Sequence, residues 1–264
     1  MLSIANYKKA ESLEEAWELN QKRSNRIIGG MLWLKMENIR INTAIDLSGL
    51  GLDQIEETED SFSVGCMTPL RELETNEAFN RYTCGAAREA VRHIVGVQFR
   101  NLATVGGSIF GRYGFSDVLT LFSVLDAQAE LYRGGLVPIR EFAVMKPDND
   151  ILVRIIVKKT DAVFAYRSVR NTATDFPVLT CAGSYSGERL MLAVGARPGR
   201  AACFDYETDL SGADEAERIA CSVREKIVTG SNMRAGAEYR KHLAGVLSKR
   251  VCGDLAKEAG MKWI

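Results

Sequence analysis

The stretch Arg100-Asn101-Leu102-Ala103-Thr104-Val105-Gly106-Gly107-Ser108-Ile109, running on to Ser116-Asp117, decides how this chain is read. Its β-branched residues give way to a glycine pair and a hydroxyl, and Ser116-Asp117 then opens a long apolar segment from Val118 to Leu131. Without a Cβ, Gly106 and Gly107 let backbone N–H groups approach an anion closely and tolerate positive φ. Thr104 and Ser108 place hydroxyls beside them. Such a stretch suits a phosphate cradle, although glycine pairs also serve as simple turns.

Upstream, Arg26-Ile27-Ile28-Gly29-Gly30-Met31-Leu32-Trp33-Leu34-Lys35-Met36 repeats the pattern, an apolar strand running into paired glycines and then a further apolar segment with a basic residue. Two strand-to-glycine loops in one domain suit a ligand carrying a pyrophosphate, each loop supplying donors to part of it. Neither loop fits G-x-G-x-x-G or G-x-x-x-x-G-K-[ST], which disfavours a Rossmann site and a Walker loop.

Ile28-Gly29-Gly30, then Gly96-Val97-Gln98-Phe99 running into the Arg100 to Ser108 stretch, then Ser116-Asp117, resembles the FAD-binding subunit of the xanthine dehydrogenase and carbon monoxide dehydrogenase family of molybdenum hydroxylases. Met31 stands where that family usually has Thr or another small polar residue, and Gly111-Arg112-Tyr113-Gly114-Phe115 replaces its usual Asp-Pro-containing linker. Tyr166-Arg167, Asp175, Ser231-Asn232-Met233-Arg234 and Tyr239-Arg240 resemble the C-terminal flavoprotein domain, so the resemblance covers nearly the whole chain.

The resemblance implies an α+β fold: a two-lobed FAD-binding domain of the vanillyl-alcohol-oxidase/PCMH type at 1–160, with an N-terminal lobe at 1–55 and a middle lobe at 56–160. A C-terminal α+β domain at 161–264, with a three-stranded sheet and helices, completes it. It also implies FAD contacts from Ile28, Gly29, Gly30, Met31, Leu32, Ala103, Thr104, Gly106, Gly107, Ser108, Ser116 and Asp117. The partners it implies are an iron–sulfur subunit with [2Fe–2S] clusters and a molybdenum-cofactor subunit. Substrate would be hydroxylated at molybdenum, the clusters would pass electrons to this flavin, and the flavin would deliver hydride, commonly to NAD⁺. An FAD-free scaffold subunit and a free-standing flavin oxidase are the alternatives.

Lys+Arg and Asp+Glu each total 34, for a formal net charge of +0. That balance lacks the basic footprint of a nucleic-acid binder. No run approaches the ~18 apolar residues of a membrane span, and the start lacks a long apolar core, so a cytoplasmic protein is expected. The six cysteines show no C-x-x-C pairing and read as buried reduced thiols, without a metal or iron–sulfur site. No acid, base or nucleophile stands out as catalytic.

Local signals fill in the elements. Ser12-Leu13-Glu14-Glu15 has capping-box spacing at the head of a periodic helix. Strands are predicted at 26–30, 41–47, 61–66, 129–132, 151–158, 163–170, 178–184 and 190–196. Helices are predicted after a Thr68-Pro69 cap, at 84–95, from Ser116 or Asp117 to 126, and at 214–228 and 233–259. Asp117 reads equally as a helix cap and as a partner of the FAD ribose or adenine. Trp33, Leu34 and Met36 read either as packing on the adenine or as lobe core, with core the preferred role. Tyr113 and Phe110 read either as a stacking surface for the isoalloxazine or as a hydrophobic staple, and Arg100 either as a phosphate contact or, preferred, as a tie to backbone carbonyls. Valine at Gly106 or Gly107 is expected to expel FAD while the fold persists, and Met31→Thr to be tolerated.

Overall fold

The computed structural model describes residues 1–210 and 212–261. In chain order the elements are β1 (Ser3–Lys9), α1 (Leu13–Asn20), β2 (Arg26–Ile28), β3 (Arg40–Asp46), β4 (Ile55–Glu57), β5 (Ser61–Gly65), α2 (Leu70–Thr75), α3 (Glu77–Tyr82) and α4 (Ala86–Val91). There follow α5 (Val97–Leu102), α6 (Val105–Phe110), α7 (Asp117–Phe122), β6 (Ala127–Leu131), β7 (Gly135–Pro138), α8 (Ile139–Phe142) and β8 (Leu152–Lys158). The C-terminal part holds β9 (Val163–Arg170), β10 (Pro177–Ser186), β11 (Arg189–Gly195), β12 (Ala202–Glu207), α9 (Ala213–Lys226) and α10 (Ala237–Glu258).

These elements group into two compact units, the first comprising Met1–Leu73, Val97–Gly111 and Ala127–Lys158, the second Glu74–Gly96, Arg112–Asp126 and the chain from Lys159 on.

The first unit carries a parallel sheet in the order β1-β3-β2 and an antiparallel sheet in the order β4-β5-β8-β6-β7. At α1, Ser12 Oγ accepts from Glu15 N (3.1 Å) and Glu15 Oε2 accepts from Glu11 N (2.9 Å), so the predicted cap forms and the glutamate reaches back one residue further than in a standard box. Phe62 and Val64 of β5, Ile155 and Val157 of β8, and Val105 and Ile109 of α6 are buried. Thr68 does not cap α2; its hydroxyl donates to Gln54 O (3.1 Å).

The second unit is built on an antiparallel meander, β12-β11-β10-β9. β10 is buried along nearly its whole length because helices cover both of its faces. On one side α10 comes so close that a Cβ at Gly183 would lie 2.5 Å from Val251 Cγ1; on the other, Thr120 of α7 sits 3.4 Å from Thr180 Oγ1. Val178, Leu192, Ile219, Leu247, Val251 and Leu255 fill the space between sheet and helices.

The α+β class read from the sequence is the one found, with additions. The C-terminal sheet has a fourth strand, β12, beyond the three expected, and α3, α5, α6, α8, β1, β4 and β7 are also new. β1, β4, β7 and β12 are all edge strands. Of the cysteines, Cys66, Cys181 and Cys252 are buried as expected, whereas Cys203 and Cys221 are exposed. Burial pushes the Cys66 and Cys181 thiols up to about 12, which keeps them protonated and inert. Among the described residues no helix is long and apolar enough to cross a membrane, and no cluster of His, Cys, Asp or Glu could hold a metal.

Candidate functional site

The first glycine stretch leaves the parallel sheet at Ile28, the last residue of β2, whose register partner on β3 is Asp46. Gly29 and Gly30 then run against the joint between α5 and α6. A Cβ on Gly30 would lie 1.9 Å from Leu102 O, and one on Gly29 2.9 Å from Thr104 Oγ1. The two stretches singled out by sequence therefore touch, within one unit. Met31 follows with φ 57°, the left-handed region that side chains rarely adopt. Its carbonyl accepts from Lys35 N (3.0 Å), which starts a short 3₁₀ turn at Leu34–Met36.

The N–H groups of this stretch are open. Among the described residues no carbonyl or side chain accepts from the N–H of Gly30, Met31 or Leu32. Left-handed and glycine backbone in succession is the arrangement in which neighbouring N–H groups can converge on an anion. Ile28 is buried, while Met31 and Leu32 are half-buried. Trp33 is not core as expected: it stands 40% exposed, edge-on to Phe99 at 6.2 Å, and Met36 is 66% exposed. The 3₁₀ turn carries both to the surface.

The second stretch is built otherwise. No strand leads into it; α5 does, and Gly106 and Gly107 lie inside the first turn of α6, neither at positive φ. Thr104 is the N-cap, its Oγ1 accepting from Gly107 N (3.1 Å). Val105 N donates to Thr68 O (2.9 Å), Gly106 N to Cys66 O (2.8 Å), and Ser108 N and Oγ both to Thr104 O (3.1 and 3.0 Å). The expected loop of open donors at Gly106 and Gly107 is thus replaced by a capped helix whose N–H groups are committed within the chain. A Cβ on Gly106 would meet Cys66 O at 2.5 Å, so this glycine lets α6 settle on the end of β5. Gly107 is exposed, and a Cβ there would meet only Thr104 Oγ1, at 3.1 Å. Ala103 is half-buried between the two stretches and its carbonyl accepts from Leu70 N (2.8 Å).

Met31→Thr is also re-read. A β-branched residue is poorly suited to φ 57°, so threonine adds strain whatever polar contact it offers. Phe110 packs against the buried Phe142, with ring centroids 6.2 Å apart, and so serves the core of the first unit. Arg100 is buried on α5.

Ser116 and Asp117 belong to the second unit. Ser116 caps α7, its Oγ accepting from Leu119 N (3.1 Å). Asp117, the first residue of the helix, is 4% exposed, and its Oδ1 accepts from Tyr166 OH and from Arg170 Nη2, both at 2.6 Å. Burial pushes the Asp117 carboxyl upward against the pull of Arg170, and burial with the adjacent carboxylate holds Tyr166 well above its ordinary range, so the phenol stays a donor. Of the two readings of Asp117, the cap and anchor is the one with contacts on the chain. Arg170, on β9, carried no local motif; only its alternation in an apolar strand marks its side.

The same unit presents an aromatic row. Tyr113 stacks on Phe115 (5.1 Å, 13°), Phe115 meets Phe176 edge-on (4.7 Å), and the Arg234 guanidinium lies over Phe176 (4.8 Å) while pairing with Asp175 (2.8 Å). That pairing holds the Asp175 carboxyl below its usual range.

The two glycine stretches are in contact, one has open donors, and neither fits the Rossmann or Walker pattern. The family model described as the FAD binding domain in molybdopterin dehydrogenase matches residues 3–160, and the chain belongs to that family. The putative xanthine dehydrogenase FAD-binding subunit XdhB of Escherichia coli K12 is 28% identical, with 99% of each chain covered. The uncharacterized protein YgfM of the same organism is 24% identical, covering 97% of this chain and 98% of its own. Carbon monoxide dehydrogenase from Hydrogenophaga pseudoflava shares the fold, with a TM-score of 0.84 at 20% identity and coverage of 97% and 99%.

Proposed function

We propose that this chain is the FAD-carrying electron-transfer subunit of a multisubunit, cytoplasmic molybdenum hydroxylase, served by [2Fe–2S] clusters of a partner and delivering electrons to NAD⁺ or another acceptor. The observation that carries the reading is the run of open N–H groups at Gly30, Met31 and Leu32, in a chain whose residues 3–160 match an FAD-binding family. The names of its relatives, a xanthine dehydrogenase FAD-binding subunit among them, support the rest.

Bound FAD supplies the electron and hydride chemistry, for which no side chain here is equipped. The chain's own work is to hold and shield. Gly29 to Leu32, leaving β2 after Ile28, would donate to the pyrophosphate; Ala103 and Thr104 back that strand end. Gly106 fixes α6 against β5, and the exposed Gly107 with Ser108 leaves a face on α6 free of bulk. Ser116 and Asp117 set the start of α7 in the second unit.

The test is purification with the neighbouring subunits, followed by anaerobic stopped-flow spectroscopy. A visible flavin spectrum, co-eluting iron and molybdenum, and substrate-driven bleaching in the complex but not in the isolated chain are expected. The scaffold reading draws on the committed N–H groups of Gly106 and Gly107. A chain that takes up no flavin from excess FAD, yet assembles with its partners, would establish it instead.

A further inference from the structure

We propose that the loop end of the second unit, where residues 112–115, 171–176, 196–200 and 228–234 meet, is a docking surface for a different protein chain that presents an acidic face around an apolar centre. It goes beyond the reading above but rests on it in one respect, that the chain works beside other subunits.

The first ground is exposure of residues that are normally withdrawn. Tyr113 is 46% exposed, Phe115 38%, Val228 75% and Met233 91%. Aromatic residues, methionine and arginine are the types over-represented in interfaces and their energetic centres.

The second ground is that these loops are held. Ala196 N donates to Gly114 O (2.7 Å), Gly230 N to Arg197 O (2.9 Å), and Arg197 Nη1 to Val228 O (2.6 Å). A Cβ on Gly114 would fall 2.0 Å from Gly199 O, so two of the loops interlock. Beneath them Arg240, wholly buried, donates to Val178 O (2.9 Å), Gly230 O (2.8 Å), Ala235 O (2.6 Å) and Asn232 Oδ1 (2.6 Å). A surface fixed in advance loses little conformational entropy on binding.

Charge selects the occupant. In a chain of formal net charge +0, the charges these loops present outside the core are Arg197, Arg200 and Arg234 against Asp175, with no lysine or glutamate; Arg112 is buried beneath them. A second copy docking through this face would bring the arginine excess against itself, and like charges across an interface are unfavourable.

The experiment places a photocrosslinker at Met233 (Met233→p-benzoylphenylalanine) in the full-length chain, expressed with its subunits in its native source, and identifies crosslinked peptides by mass spectrometry. A crosslink to a stoichiometric companion subunit, in a peptide of net negative charge, is expected. Met233→Asp should weaken recovery of that subunit roughly tenfold or more, as loss of an interface anchor does. Val144→Asp, at an exposed apolar site of the first unit (58%), should not. A crosslink to a second copy, to a basic surface, or to nothing would overturn the proposal. Flavin content of the same preparation reports separately on the FAD reading.

Discussion

Ile28-Gly29-Gly30-Met31-Leu32 and Thr104-Val105-Gly106-Gly107-Ser108 lie in one compact unit, touch each other, and share a sequence signature. In the first, glycine permits a close backbone crossing and the N–H groups beyond it stay open. In the second, every N–H from Val105 to Ser108 has an acceptor on the chain, and the buried glycine serves helix-on-strand packing. A glycine pair therefore reports close approach; whether a ligand or the protein's own backbone makes that approach is decided by where the donors go.

Substitutions separate the two roles, and the largest effect is expected at Gly30. Gly30→Ala puts a Cβ 1.9 Å from a backbone carbonyl that has no rotamer to yield. We expect a loss of about 3 kcal/mol or more, at the upper end of overpacking costs, read as a fall in thermal midpoint. Gly106→Ala meets Cys66 O at 2.5 Å and should cost about 2–3 kcal/mol, so flavin loss in that variant would accompany destabilisation of the fold. A Gly106 variant with unchanged denaturant midpoint would refute the packing role.

Smaller changes probe the detail. Met31→Thr should cost about 1–2 kcal/mol because its backbone is left-handed, whereas Met31→Gly should stabilise. Equal melting of the two variants would remove the strain from the account. Thr104→Val deletes the hydroxyl that caps α6 and should cost about 1 kcal/mol by chemical denaturation. Gly107→Ala, exposed and facing only that hydroxyl, should lie within about 0.5 kcal/mol of the parent, as surface changes usually do. Any large loss of flavin by this last variant would show that the ligand reaches α6 directly.

What the sequence made legible, and what it hid, follows from burial. Buried or half-buried strands such as β8 and β10 have apolar runs that announce them, and Ser12 and Ser116 both cap helices as read. The strands that escaped, β1, β4, β7 and β12, are sheet edges with one neighbour; β1, β4 and β7 are mostly exposed and carry no clear alternation, whereas β12 does alternate, Phe204 and Tyr206 facing inward, over only six residues. The glycine stretches were found from their residue types. Their difference was not legible, because it depends on Cys66, Thr68 and Leu102, acceptors and neighbours that only the folded chain brings to them. The Asp117–Arg170–Tyr166 cluster was hidden likewise, since its members come from a helix and a strand about fifty residues apart in a single unit.

Amide-resolved NMR of the ¹⁵N-labelled full chain, titrated with FAD, tests the contrast most directly. Large shifts at Gly30, Met31 and Leu32, with little change at Gly106, are expected if the open donors hold the pyrophosphate and the committed ones do not. Large shifts at Gly106 with the Gly30 to Leu32 amides unmoved would contradict it.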